Sequence, residues 1–106
     1  MITAIVQFQL GEDATTEMAA SIFRSTAPRY LGKAGLIRKY YIFNPETRKG
    51  GGCYLLEDKA AAEAVFDAEW RATVTKKYGS APETTFFDTP VVVDNVRNEI
   101  IGLEAI

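Results

Sequence analysis

The chain has 106 residues, 47% apolar and 25% charged, with a net charge of −2. That length holds a single domain (residues 1–106) with a two-layer core, and the composition is that of a globular protein rather than a disordered one. The near-neutral charge without a basic run argues against nucleic acid, the absence of histidine removes imidazole catalysis and the usual haem and zinc ligation, and no apolar stretch reaches the ~20 residues of a membrane span.

Residues 2–10 alternate, with Ile2, Ala4, Val6, Phe8 and Leu10 on one side and Thr3, Ile5, Gln7 and Gln9 on the other. That period predicts a strand. No signal-peptide pattern opens the chain, so the expected location is the cytoplasm. Gly11 breaks the strand, and Asp13 is placed to cap a helix whose apolar stripe is Met18, Ile22, Phe23 and Ala27. Pro28 stops or kinks that helix, and residues 29–35 read as a connection.

A second strand over residues 36–43 ends at the turn signal Asn44-Pro45. The return strand opens on Gly50, Gly51 and Gly52 and continues through Leu56. No strand-to-helix junction follows the glycines and no Lys-Ser/Thr pair accompanies them, so they read as a close-packed or bulged strand rather than a phosphate loop. Cys53, the single cysteine, lies in an apolar run and reads as an inert core thiol, with no disulfide or thiolate metal cluster.

Asp58 is a good N-cap for a second helix carrying Ala62, Val65, Phe66, Trp70, Val74 and Tyr78, with Gly79 as its terminator. Residues 83–93 form the last strand, which Pro90 confines to an edge or bends. Residues 96–106 read as a C-terminal tail that docks on a partner. The order strand–helix–strand–strand–helix–strand predicts an α+β, ferredoxin-like βαββαβ sandwich, with both helices on one face of an antiparallel sheet.

The strand over 36–43 is apolar on both faces, with Leu36, Tyr40 and Ile42 alternating with Ile37, Tyr41 and Phe43. One helical layer covers one face only. The open face spans roughly 400 Å² for four six-residue strands, at the upper end of what monomers leave exposed. A homodimer closing two such faces follows.

The segments Gly35-Leu36-Ile37-Arg38-Lys39-Tyr40-Tyr41, Gly51-Gly52-Cys53-Tyr54-Leu55-Leu56-Glu57-Asp58, Ala61-Ala62-Glu63-Ala64 and Phe87-Asp88-Thr89-Pro90-Val91 resemble the YdhR-like monooxygenases of the dimeric α+β barrel superfamily. The resemblance implies a dimeric α+β barrel and a cofactor-independent oxidation, by dioxygen, of a quinol- or anthrone-like aromatic or enolic compound. It also implies a cleft between sheet and helices, faced by the polar side of the first strand, with the apolar side filling the dimer barrel. Such a reaction requires stabilisation of a substrate anion. The candidate substrate-binding residues are Gln7 as amide donor, Lys39 as cation, Tyr41 as hydrogen-bonding phenol and Trp70 as stacking wall. Each also has a structural reading: core packing for Trp70, strand propensity for Tyr41, a solvated stem for Lys39 or Arg38, and a structural hydrogen bond for Gln7. No proton acceptor is identified. The competing reading is a non-catalytic dimer that binds a hydrophobic small molecule or another protein.

Overall fold

The computed structural model describes residues 1–103. A four-stranded antiparallel sheet is formed by β1 (Ile2–Gln9), β2 (Leu36–Phe43), β3 (Lys49–Leu56) and β4 (Glu83–Asp88), in the order β2-β3-β1-β4. Three helices, α1 (Thr16–Thr26), α2 (Lys59–Val65) and α3 (Ala68–Tyr78), lie in the two crossovers. This is the expected ferredoxin-like arrangement, with one additional helix boundary.

That boundary corrects the expected second helix. Its stripe is continuous at helical spacing, yet Phe66 leaves the helical conformation and Asp67 caps a new helix, its Oδ1 accepting from the Trp70 amide at 2.8 Å. Asp58 caps α2 through the Ala61 amide at 2.8 Å, and Gly79 ends α3 in the left-handed region at φ 81°. In α1 the cap is Thr15 rather than Asp13, its hydroxyl accepting from the Met18 amide. Ala19 and Phe23 are the buried residues of this helix, whereas Met18 and Ile22 are exposed, so the packed face is rotated from the expected stripe. Pro28 acts as expected, with α1 giving way to a 3₁₀ turn at Ala27–Arg29.

The orientation of β1 is the main correction. Ala4, Val6 and Phe8 are buried in the core with Phe23, Tyr54, Leu56, Val65 and Phe66. The apolar side of β1 therefore meets the chain's own helices, and Thr3, Ile5, Gln7 and Gln9 lie on the open face. Direct pairing of Phe8 with Gly50 and Val6 with Gly52 puts those glycines on the helix side. A Cβ on Gly50 would lie 3.3 Å from the Phe23 ring, and one on Gly51 would lie 1.7 Å from the Val6 carbonyl oxygen. Close approach accounts for the glycine run.

Past Pro90 the chain leaves the sheet. β5 (Val91–Asp94) and β6 (Glu99–Gly102) pair with each other as a separate hairpin, so Glu99–Gly102 is a strand rather than part of an irregular tail. The remainder of the expected tail, residues 104–106, lies outside the described residues. Val93, Val96 and Ile100 on this arm are 65%, 91% and 76% exposed. Its projection is consistent with a radius of gyration of 14.8 Å, against about 13 Å for a compact chain of this length. Asp94 anchors it by accepting from the Val96 and Arg97 amides and pairing with Arg38 Nη2 at 3.3 Å. These partners, led by the Arg97 amide, hold its carboxyl below the usual carboxylate range. No helix among the described residues is long and apolar enough to cross a membrane.

Candidate functional site

A cavity of about 300 Å³ lies between the sheet and α3. Two features of the sequence shape it. Gly52, between Tyr41 on β2 and Val6 on β1, has no side chain, so the Tyr54 ring and the Lys39 stem lie flat over it and form the floor of the cleft. Helix α3 buries none of its residues fully, and only Trp70, Val74 and Tyr78 among its apolar residues pack against the core. The helix therefore stands off the sheet and leaves room for a small molecule, at the lower end of the usual range for ligand sites.

Register decides which side chains enter. Lys39 pairs with Tyr54 and Tyr41 with Gly52, so Lys39 and Tyr41 face the helices, while Arg38 and Tyr40 face the open side. Lys39 Nζ stands 3.4 Å from the ring centre of Tyr30, 3.7 Å from that of Tyr41 and 4.6 Å from that of Tyr54. These are cation–π distances. The three rings come from the segment after α1, from β2 and from β3. Tyr30 is held by the Trp70 indole, whose Nε1 donates to the Tyr30 hydroxyl at 3.1 Å. The Tyr41 hydroxyl is 2.7 Å from Thr26 Oγ1. Phe66 packs edge-on to both Trp70 and Tyr54, and Tyr78 stacks on Phe8 at 3.8 Å.

Burial governs the electrostatics. It lowers the Lys39 ammonium to about 7, because the cleft hydrates a cation poorly. It raises the Tyr41 and Tyr54 phenols, and pushes Tyr78 up to about 12. The phenols thus hold their protons near neutrality and offer O–H groups rather than bases. Arg29, Lys33 and Lys77 line the cavity together with Asp67 and Glu69, so cations outnumber carboxylates there although the whole chain is slightly acidic. Asp67 is engaged in capping α3. Among the described residues no group of three or more cysteine or acidic side chains is arranged to hold a metal ion.

Of the four candidate residues, Lys39, Tyr41 and Trp70 line this one cavity and Gln7 does not. Gln7 pairs with Gly51 and Glu83 on the open face, one residue out of phase with Val6 and Phe8. The expectation that the polar side of β1 faces the cleft is therefore overturned. Tyr30 and Tyr54 were not among the candidates. Tyr54 was accessible from hairpin register, since it lies directly across from Lys39, whereas Tyr30 sits in an aperiodic connection that gives no such signal.

No family model matches the sequence, and no curated protein is significantly similar to it. Solved structures share its fold. The monooxygenase from the ActVA-Orf6 gene of Streptomyces coelicolor, in complex with the ligand nanaomycin D, aligns with a TM-score of 0.62 at 14% identity, over 83% of this chain and 86% of that one. A mutant form of SnoaB, a cofactor-independent oxygenase from Streptomyces nogalater, gives 0.59 at 15% identity, over 83% and 91%. A Deinococcus radiodurans protein classed with the antibiotic biosynthesis monooxygenases gives 0.63 at 9% identity, over 89% and 97%. At these identities the likeness establishes a common α+β, ferredoxin-like fold.

Proposed function

We propose that the cleft binds one small, flat aromatic or enolic molecule, of the quinol or anthrone type, and that the protein is a monooxygenase oxidising it with dioxygen and no cofactor. The observation that carries this reading is the aromatic-walled cavity in which the Lys39 amine stands among three tyrosine rings. The oxygenases that share the fold, one of them in complex with nanaomycin D, and the resemblance to the YdhR-like family support it. Conversion of a ring CH₂ to C=O takes one oxygen atom from O₂ and releases the other as water. Electron transfer to dioxygen requires the substrate as an electron-rich anion, and a positive, poorly hydrated cleft favours that form. Oxygen uptake with a panel of reduced anthrones and quinols tests the proposal, with uptake above the uncatalysed rate expected for at least one member. Thermal stabilisation by these compounds without any uptake would leave a binding protein. That second reading is favoured by the mutual satisfaction of Trp70 with Tyr30 and of Tyr41 with Thr26, which leaves these groups fewer bonds for a ligand.

The open face is proposed as a homodimer interface, forming the dimeric α+β barrel. It carries Ile5, Tyr40, Ile42, Leu55 and Phe87, with Tyr40 and Phe87 54% and 51% exposed. A stable interface needs about 800 Å² from each partner. The sheet face supplies roughly half of that, and the exposed apolar β5–β6 arm extends it. Light scattering is expected to give twice the chain mass at micromolar concentration, and Ile42→Glu to give a monomer. A cytoplasmic location fits the single, unpaired Cys53.

A further inference from the structure

We infer that the Lys39 ε-amine is the proton acceptor of the cleft, taking the proton of a bound phenolic or enolic hydroxyl; this rests on the reading of the cleft as the oxidation site. In the step, the substrate O–H bond breaks and a fourth N–substituent bond forms at Nζ, giving an ammonium beside an oxyanion with no change in total charge. Three ring faces lie 3.4–4.6 Å from Nζ and stabilise the ammonium once it forms.

The surroundings leave few other acceptors. The titratable groups that line the cavity with Lys39 are Tyr41 from β2, Tyr54 from β3, Arg29, Tyr30 and Lys33 after α1, Asp67 at the cap of α3, and Glu69, Lys77 and Tyr78 from α3. The Tyr41, Tyr54 and Tyr78 phenols are raised and hold their protons. Asp67 is bonded to the Trp70 amide, Glu69 is exposed, and the chain has no histidine. No carboxylate forms a salt bridge with Lys39 among the described residues, so nothing fixes its proton. Burial brings its pKa to about 7, where a base is both available and competent at neutral pH.

This match also selects the substrate. A hydroxyl as weakly acidic as that of tyrosine would give up its proton to such an amine about one time in a thousand. The cleft therefore suits acidic phenols and enols, whose negative charge spreads over fused rings or a conjugated carbonyl, over simple phenols.

The test uses 7-hydroxycoumarin, a flat acidic phenol whose neutral and anionic forms absorb in separate bands, titrated into the full chain at pH 7.5. With wild type the anion band is expected to grow on binding, with almost no net proton release, because the proton moves to Lys39. Lys39→Arg, which is always charged, is expected to bind the anion while releasing a proton to the buffer. Lys39→Met is expected to bind the neutral form, with at least a tenfold lower anion fraction. Three results would overturn the inference: anion binding by Lys39→Met equal to wild type, proton release by wild type equal to that of Lys39→Arg, or no phenol bound by wild type at millimolar concentration. The titration needs no turnover, so an absence of oxygen uptake with anthrones would sink the oxidation reading and leave the ionisation result standing.

Discussion

Replacing Lys39 with Met removes a buried amine and should change how stability depends on pH. The unfolded lysine titrates near 10.5 and the folded one near 7. Between these values the unfolded chain binds a proton that the folded chain lacks, so wild-type stability rises with pH through this window. The cost of burying the ammonium is fully present below pH 7 and disappears above 10.5. Linkage limits the slope to 1.36 kcal/mol per pH unit, or ~2.7 kcal/mol between pH 7 and 9. Lys39 is only half-buried, and its ring contacts favour the ammonium, so about 1–2 kcal/mol is the expected gain. Tyr41, Tyr54 and Tyr78 act oppositely above pH 9.5, where their raised phenols lose stability as the unfolded tyrosines ionise. Wild type and Lys39→Met share those residues, so the difference between the two proteins isolates the lysine. Urea denaturation at pH 7, 8 and 9 measures it, through midpoints at unchanged slope. A stability difference that stays flat over these three values would show an ordinary solvated ammonium and refute the electrostatic description of the cleft.

Gly52→Ala should disturb the site directly. Its Cβ would lie 2.7 Å from the Tyr54 ring, which is 3% exposed and cannot retreat, and 3.1 Å from Lys39 Cε; a loss of ~2 kcal/mol in denaturation and a weakened 7-hydroxycoumarin titration are expected. Gly35→Ala combines a left-handed φ of 79° with a Cβ 2.5 Å from that of Ala61. It should cost ~2 kcal/mol or more, read as a lower urea midpoint, and act on packing away from the cleft lining. Asp67→Ala removes the cap of α3, with ~1 kcal/mol lost and faster amide exchange at Trp70; an unchanged Trp70 exchange rate would count against Asp67 as the residue that starts the helix.

Element order was legible because periodicity and punctuation agreed. The alternation of residues 2–10, the Asp58 cap, Pro28 and Gly79 all mark real boundaries. The orientation of β1 was not legible, because its apolar face could serve either the chain's own helices or a partner's sheet. Intramolecular burial carries no association cost, and β1 is a central strand flanked by β3 and β4. Ala4, Val6 and Phe8 accordingly went to the internal core. The break after Val65 was hidden for another reason. Asp67 falls between stripe positions, where an acidic residue reads as the solvent face of one long helix, yet its carboxylate starts a new one.

The choice between Arg38 and Lys39 turned on a single residue of phase. Strict alternation groups Leu36 with Arg38, Tyr40 and Ile42, but the register shifts between Leu36 and Arg38. The irregularity absorbs one residue, so Leu36 pairs with Leu56 on the core side and Lys39, Tyr41 and Phe43 follow it there. Arg38 is thereby turned to the other face, where it reaches Asp94 and tethers the β5–β6 arm. One irregularity in an edge strand thus sends the cation that can hold the arm and the amine that can take a proton to opposite sides of the sheet. Without it the guanidinium, which does not lose its proton near neutrality, would face the three tyrosines, and the cleft would have a fixed charge in place of a base.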